Sequence, residues 1–312
     1  MRPYTPYSEI LKGRGLAGLR IRKICLHGGF TCPNRDGNVA WGGCTYCNND
    51  SFRPDGVDRI LPAREQIQNG IAYLVRRYAA ERFLVYWQHY TNTYAPVETL
   101  RQKFLEVLTC DPRIVGMCIG TRPDCVDNDK LEMIREVSSG RYVCLEYGLE
   151  SSSDSTLLRL NRGHTVQCWV DAVGRTKGLG LPVCAHVILG FPWETRQQML
   201  DSAGILNQLE VDFVKIHHLH VVKNTRLAQE FEAEPFPTFS LREWVELVCD
   251  YLERLDPKIV VQRLFGWAPG AYLIAPRWKA TRPEILNRIR AELQQRHSRQ
   301  GLRFDSGAAV AS

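Results

Sequence analysis

Short apolar runs alternate with segments of helical period through most of this 312-residue chain, and no other feature narrows the fold so far. The runs are Ile21-Arg-Lys-Ile-Cys-Leu, Phe83-Leu-Val-Tyr-Trp, Ile114-Val-Gly-Met-Cys-Ile, Tyr142-Val-Cys-Leu-Glu-Tyr, Val183-Cys-Ala-His-Val-Ile-Leu and Phe213-Val-Lys-Ile-His. Their near-continuous hydrophobicity is that of strands covered on both faces, as parallel strands under helices must be. Between them, Ile67, Ile71, Leu74, Val75 and Tyr78 share one helical face, and Leu131, Ile134 and Val137 another. The order predicts an α/β fold in which six βα units, over residues 20–232, close part of a TIM-like barrel. A site would then sit at the carboxyl ends of the strands, and an open sheet would place it there too. Those ends are polar: His89-Tyr-Thr-Asn-Thr-Tyr, Thr121-Arg-Pro-Asp, Glu146-Tyr-Gly-Leu-Glu-Ser, Gly190-Phe-Pro-Trp-Glu-Thr and His218-Leu-His.

Glu234-Pro-Phe-Pro-Thr reads as a connector into a C-terminal extension, residues 233–304, with a helix around 240–255, a strand near Ile259-Val-Val-Gln-Arg-Leu and a basic helix. Thr195 with Gln198, and Thr281 with Glu284, have the spacing of capping boxes. Residues 305–312 have the composition of a disordered tail. Residues 277–304 hold eight arginines and lysines against two glutamates, an excess equal to the +6 of the whole chain. Such a cluster suits phosphate contacts, and a solvated helix face accounts for it equally well.

Three cysteines, Cys32, Cys44 and Cys47, follow the first strand. A Cys-x-x-Cys turn brings two soft thiolates to one metal centre, and the residues between Cys32 and Cys44 let a third join them. A structural zinc site closes with four protein ligands, so three cysteines point to a centre with one position open for chemistry. Cys25 or His27 as a fourth ligand would make the zinc alternative, but Cys25 falls inside an apolar strand where a cysteine acts as a small hydrophobe. The other seven cysteines lie in apolar runs and read as core. Eleven cysteines in no regular framework fit a reducing compartment, and no apolar stretch approaches the roughly twenty residues of a membrane span. A cytoplasmic protein without membrane contact is the expectation.

At Gly-Phe-Thr-Cys32-Pro-Asn-Arg-Asp-Gly, Gly-Gly-Cys44-Thr-Tyr-Cys47-Asn-Asn and Tyr-Thr-Asn92-Thr-Tyr-Ala-Pro the chain resembles a bacterial family of radical SAM proteins whose core is similar to that of the Elongator catalytic subunit. The likeness runs from about residue 20 to 232 and reappears at Leu273-Ile-Ala-Pro-Arg-Trp. It implies that Cys32, Cys44 and Cys47 bind a [4Fe-4S] cluster whose fourth iron takes S-adenosyl-L-methionine. One electron, from a donor of the flavodoxin or ferredoxin type, would cleave the sulfonium to methionine and a 5′-deoxyadenosyl radical that abstracts hydrogen from substrate.

The resemblance also implies cofactor contacts. Glu150 would accept from the ribose diol, Arg162 would pair with the methionine carboxylate, and Thr91 and Asn92 would bind its amino group. His186 would face the cofactor, and Gly190 opens the turn that backs the adenine. A surface salt bridge is the plainer reading of Glu150 with Arg162, and a satisfied core residue that of His186. The chain departs from the family where His27 and Trp267 replace acidic residues. Because the Elongator core acts on the wobble uridine of tRNA, the resemblance with the basic tail makes a tRNA uridine side chain the leading substrate. No acyltransferase domain follows, so acyl addition is not expected. A small metabolite or peptide substrate is the rival reading, and a zinc-stabilised RNA-binding module without catalysis the third.

Overall fold

The computed structural model describes residues 3–7, 19–52, 61–138 and 140–304; the tail expected at 305–312 lies outside them. Strands β1 (Ile21–Leu26), β2 (Arg82–Trp87), β3 (Ile114–Thr121), β4 (Tyr142–Glu150), β5 (Val183–Leu189) and β6 (Phe213–His218) pair in sequence order, all parallel. Helices α1 (Ala63–Tyr78), α2 (Val97–Thr109), α3 (Asn128–Val137), α4 (Asp154–Arg159), α5 (Val166–Gly178) and α6 (Arg196–Gln208) fill the crossovers. Then come β7 (Val221–Val222), α7 (Arg226–Ala233), α8 (Leu241–Arg254), β8 (Val260–Arg263), β9 (Leu273–Ala275) and α9 (Arg282–Gln295). The strand read from sequence near 259–264 is β8, which pairs in parallel with β6 as the seventh strand of the same sheet. β7 and β9 form a separate antiparallel pair.

Alternation along each strand sorts side chains onto two faces. Ile24, Phe83, Val85, Met117, Leu145, Val187 and Ile216 point outward into the core shared with the helices. Ile21, Leu84, Cys118, Cys144, Cys184, Phe213 and Val260 point inward and form their own cluster at the amino-terminal end of the curl. Curling brings the edges together: Lys23 Nζ on β1 donates to Gln262 Oε1 on β8 at 2.9 Å. The segment 3–7 borders the far edge, with Val261 N donating to Thr5 O at 2.8 Å and Tyr7 edge-on to Phe213. The result is a half-barrel with an apolar floor.

Local signals place the helices. Thr195 and Gln198 cap α6 reciprocally, and Thr281 N donates to Glu284 Oε2 at the start of α9. Ser240 and Glu243 form a further box at α8. No helix of the described residues is long and apolar enough to cross a membrane.

Candidate active site

The loop after β1 is tied down by backbone bonds before any ligand is considered. Arg35 N and Asp36 N donate to Cys32 O at 2.8 and 3.3 Å, Gly43 N to Asn34 O at 2.7 Å, and Cys47 N to Cys44 O at 2.9 Å. The loop is also stitched to the segment after α4: Thr45 N bonds Leu160 O, Asn161 Nδ2 bonds Gly43 O, and Asn34 Nδ2 bonds Arg162 O at 3.0 Å. These bonds bring Cys32, Cys44 and Cys47 to one cavity of about 260 Å³.

Amide and guanidinium donors face two of the three thiols. Asn34 Nδ2 and Arg162 Nη1 point at Cys44 Sγ from 3.6 and 3.7 Å, and Asn49 Nδ2 at Cys47 Sγ from 3.8 Å. Burial, then Cys44 beside it, pushes the Cys47 thiol up to about 11. A metal cluster spanning the three sulfurs, rather than one ion shared by all of them, would supply the positive charge that turns them into thiolates. Cys25 is not on the cavity lining; it packs against the inner-wall cluster beneath.

Across the cavity, β4 ends in a β-bulge at Gly148–Glu150. Glu150 takes a left-handed φ of 67°, a conformation that costs free energy in a non-glycine residue and is held by what surrounds it. Arg162 Nη2 donates to Gly148 O at 3.0 Å and lies 3.5 Å from Glu150 Oε1. A Cβ at Gly148 would stand 2.1 Å from Glu150 Oε1 and 2.6 Å from Arg162 Nη2, so only glycine leaves room for the pair. Both side chains are nearly buried, so this is not a surface bridge. Burial pushes the Glu150 carboxyl up against the pull of Arg162 and a hydrogen bond from Tyr46.

Beneath this pair lies a charged layer that sequence reasoning missed. The Glu146 carboxylate is fully buried and contacts Lys215 Nζ, Lys23 Nζ at 3.1 Å and His186 Nε2 at 2.9 Å. Lys215 Nζ also donates to Tyr86 Oη at 3.1 Å and sits over that ring. Burial alone would favour the neutral acid, but Lys215, Lys23 and His186 hold the Glu146 carboxyl well below the usual range. Burial, then Lys215, pushes His186 down to about 4. Neutral His186 therefore donates from Nε2 to Glu146 and keeps Nδ1 as an acceptor. Cys184 lies within reach of an ion shared with Glu146 and His186, but two ammonium groups already hold that carboxylate and repel a cation.

Thr91, Glu150, Arg162 and His186 thus join the three cysteines on one cavity. Asn92 and Gly190 do not line it. Asn92 is buried, its amide donating to Trp87 O at 3.1 Å and Gly120 O at 2.7 Å, and it fastens the ends of β2 and β3. Gly190, at φ 108°, lets Phe239 approach to 2.9 Å of where a Cβ would be. The missed residues had a signal: Lys23, Glu146 and Lys215 are charges at inward positions of apolar strands.

The radical SAM superfamily model matches residues 32–205, and the radical SAM C-terminal domain model residues 211–295. The chain belongs to the radical SAM superfamily. It is 37% identical over 290 residues to YtqA of Bacillus subtilis (strain 168), covering 92% of this chain and 89% of that one. It is 26% identical over 155 residues to a tRNA uridine(34) acetyltransferase of Methanocaldococcus jannaschii, 49% of this chain but 28% of the relative. Its fold is that of the archaeal Elp3 of Methanocaldococcus infernus, at a TM-score of 0.68, 17% identity, and coverage of 90% of this chain and 64% of the other. The protein is accordingly an enzyme whose cofactors are a [4Fe-4S] cluster and S-adenosyl-L-methionine and which needs an electron donor. That membership sets aside the zinc-stabilised module.

Proposed function

We propose that Cys32, Cys44 and Cys47 hold the cluster and that the enzyme modifies the side chain of the wobble uridine of tRNA, in the cytoplasm, with electrons from a flavodoxin or ferredoxin type donor. The observation that carries the reading is the convergence of three thiols with the buried Arg162–Glu150 pair on one cavity. Once bound, the cluster and S-adenosyl-L-methionine supply a one-electron cleavage whose radical removes hydrogen from the substrate. The chain's own residues position and shield. Arg162 holds the cluster loop and β4 in one arrangement, since one guanidinium serves Cys44 Sγ, Gly148 O and Glu150. Glu150 offers carboxylate oxygens to a sugar hydroxyl, Thr91 a hydroxyl, and His186 an acceptor nitrogen.

What supports a tRNA uridine is the likeness to an enzyme named for uridine 34, together with exposed cations around α9. Lys279, Arg288, Arg290 and Arg299 are exposed. Arg296 instead pairs with Asp250 and Glu292, and Arg303 with Glu253, so both belong to the packing of α9 on α8. The matched region is a minor part of the acetyltransferase, and acetyl transfer is not carried over. The reading is tested by nucleoside profiles of tRNA from cells lacking the gene, complemented with wild type or Cys44→Ala. One uridine-derived nucleoside should change and return only with wild type. Identical profiles in all strains would contradict the tRNA reading and favour a metabolite or peptide.

A further inference from the structure

The cavity has a second end, built by the part of the chain that follows the six βα units. Arg263 closes β8 and stands in register with Lys215 on β6, so both side chains emerge on the inner face. It lines the cavity with His217, His220 and Trp267, and among the described residues it makes no ion pair or hydrogen bond. Its neighbours are cations or neutral rings. Burial, with Arg263 next, pushes His217 and His220 down, and burial together with Arg263 lowers Arg282, whose guanidinium lies over Trp267 at 4.5 Å. Of the two carboxylates on the lining, Glu146 is already shared by two lysines and a histidine, and Glu150 is paired with Arg162. Lys23, Lys215 and Arg263 against Glu146 leave this end of the concave space positive, with Arg263 itself exposed to solvent and so open to an incoming anion. An arginine with free donors in such a place matches a planar or tetrahedral oxyanion in two-point geometry. The cysteine end has its own cations, each already committed: Arg162 to the cluster loop and Glu150, Arg122 to Asp124, and Arg35 to Cys47 O.

We infer that Arg263 is a substrate-binding residue, receiving an anionic group, carboxylate or phosphate, at the β8 end of the cavity. This rests on the proposed uridine substrate only for the choice of probes. The carboxylate would come from a substituent on the base and the phosphate from the nucleotide backbone.

The test uses the cluster-loaded protein and calorimetric binding of six probes: uridine, uridine-5-acetic acid, the methyl ester of that acid, uridine 5′-monophosphate, acetate and inorganic phosphate. The acid should bind roughly ten-fold or more tighter than its ester, or the monophosphate than uridine, as a charge-assisted contact allows. Which preference occurs names the source of the anion. Arg263→Gln should bring that preference to within about two-fold, and Arg263→Lys should keep part of it, with iron content unchanged in both as the check on folding. Arg263-dependent binding of acetate or phosphate without binding of any uridine would keep the anion site and remove the uridine substrate. Equal binding of charged and neutral uridines would overturn the anion site and leave the uridine standing. A preference that survives Arg263→Gln, or no Arg263-dependent anion binding by any probe, overturns the inference as well.

Discussion

The two faces of the seven-stranded sheet obey different rules. The outer face is mostly apolar, because helices cover most of its length, with polar exceptions such as Arg22 and His218 at strand ends. The inner face is graded: apolar side chains and thiols at the floor, then Glu146 with its lysines and His186, then the cavity with the cluster cysteines. Outer positions are constrained by volume, since each needs only to fill space. Glu146, Lys215 and Lys23 at inner positions are constrained by partners, since each charge is wholly or largely buried and tolerable only while the others are present. The lesson is that one sheet can be interchangeable on one side and interdependent on the other.

Thiols give the sharpest break. Cys44→Ala at the cavity should abolish cluster iron, whereas Cys144→Ala, on the floor of the same curl, should leave iron content as in wild type; metal analysis after anaerobic purification checks both. Equal loss would erase the distinction between floor and cavity.

Next come stability effects of several kcal/mol. Glu146→Gln leaves Lys215 and Lys23 without their counter-charge and should cost about 3–5 kcal/mol. Phe104→Ala, on a helix facing the outer core, should cost a similar ~3–5 kcal/mol by leaving a cavity. What separates them is coupling. Lys215→Met should recover part of the Glu146→Gln loss and simply add to that of Phe104→Ala, as denaturant double-mutant cycles would show. Additivity at both sites would mean the inner layer is ordinary packing.

A smaller effect follows acid. His186 and His220, each pushed down to about 4 chiefly by burial, are neutral in the folded protein at pH values where an ordinary histidine with a value of 6.5 is charged when the chain unfolds. The unfolded chain then binds more protons, so stability should fall as pH drops from about 6.5 to 4. Replacing His186 with Gln should flatten part of that slope in denaturant midpoints, while an apolar outer-face substitution such as Phe104→Ala should leave it unaltered.

The smallest stability effect belongs to Arg288, Arg290 and Arg299. Reversing all three charges should move stability by only about 0.5 kcal/mol, while flattening the salt dependence of tRNA binding, because each phosphate contact releases condensed counterions. Unchanged salt dependence would remove the helix α9 surface from the account.

The outer face was legible in the sequence because its rule is local: alternation and helical period repeat within a few residues. The cluster loop was legible for the same reason, its thiols falling within sixteen positions of one another. The charged layer was not. Lys23 and Glu146 are 123 residues apart, and Glu146 and Lys215 are 69 apart, so nothing but strand register unites them. Asn92 and Gly190 show the converse. Both stand in motifs that resemblance ties to the cofactor, and the structure places them off the cavity lining, Asn92 Nδ2 donating to two backbone carbonyls and Gly190 leaving clearance for Phe239. Seven strands rather than six build the sheet because β8, separated from β6 by β7 and two helices, adds to the edge of β6, a pairing no local pattern signals.

The most direct test of the central claim, that three cysteines form a cluster site with one iron left for S-adenosyl-L-methionine, is electron paramagnetic resonance of the reduced protein with and without that cofactor. The account predicts a reduced [4Fe-4S] signal that changes when S-adenosyl-L-methionine is added, persists in Cys25→Ala and is absent in Cys44→Ala. A signal indifferent to the cofactor, or one lost from Cys25→Ala as completely as from Cys44→Ala, would contradict it.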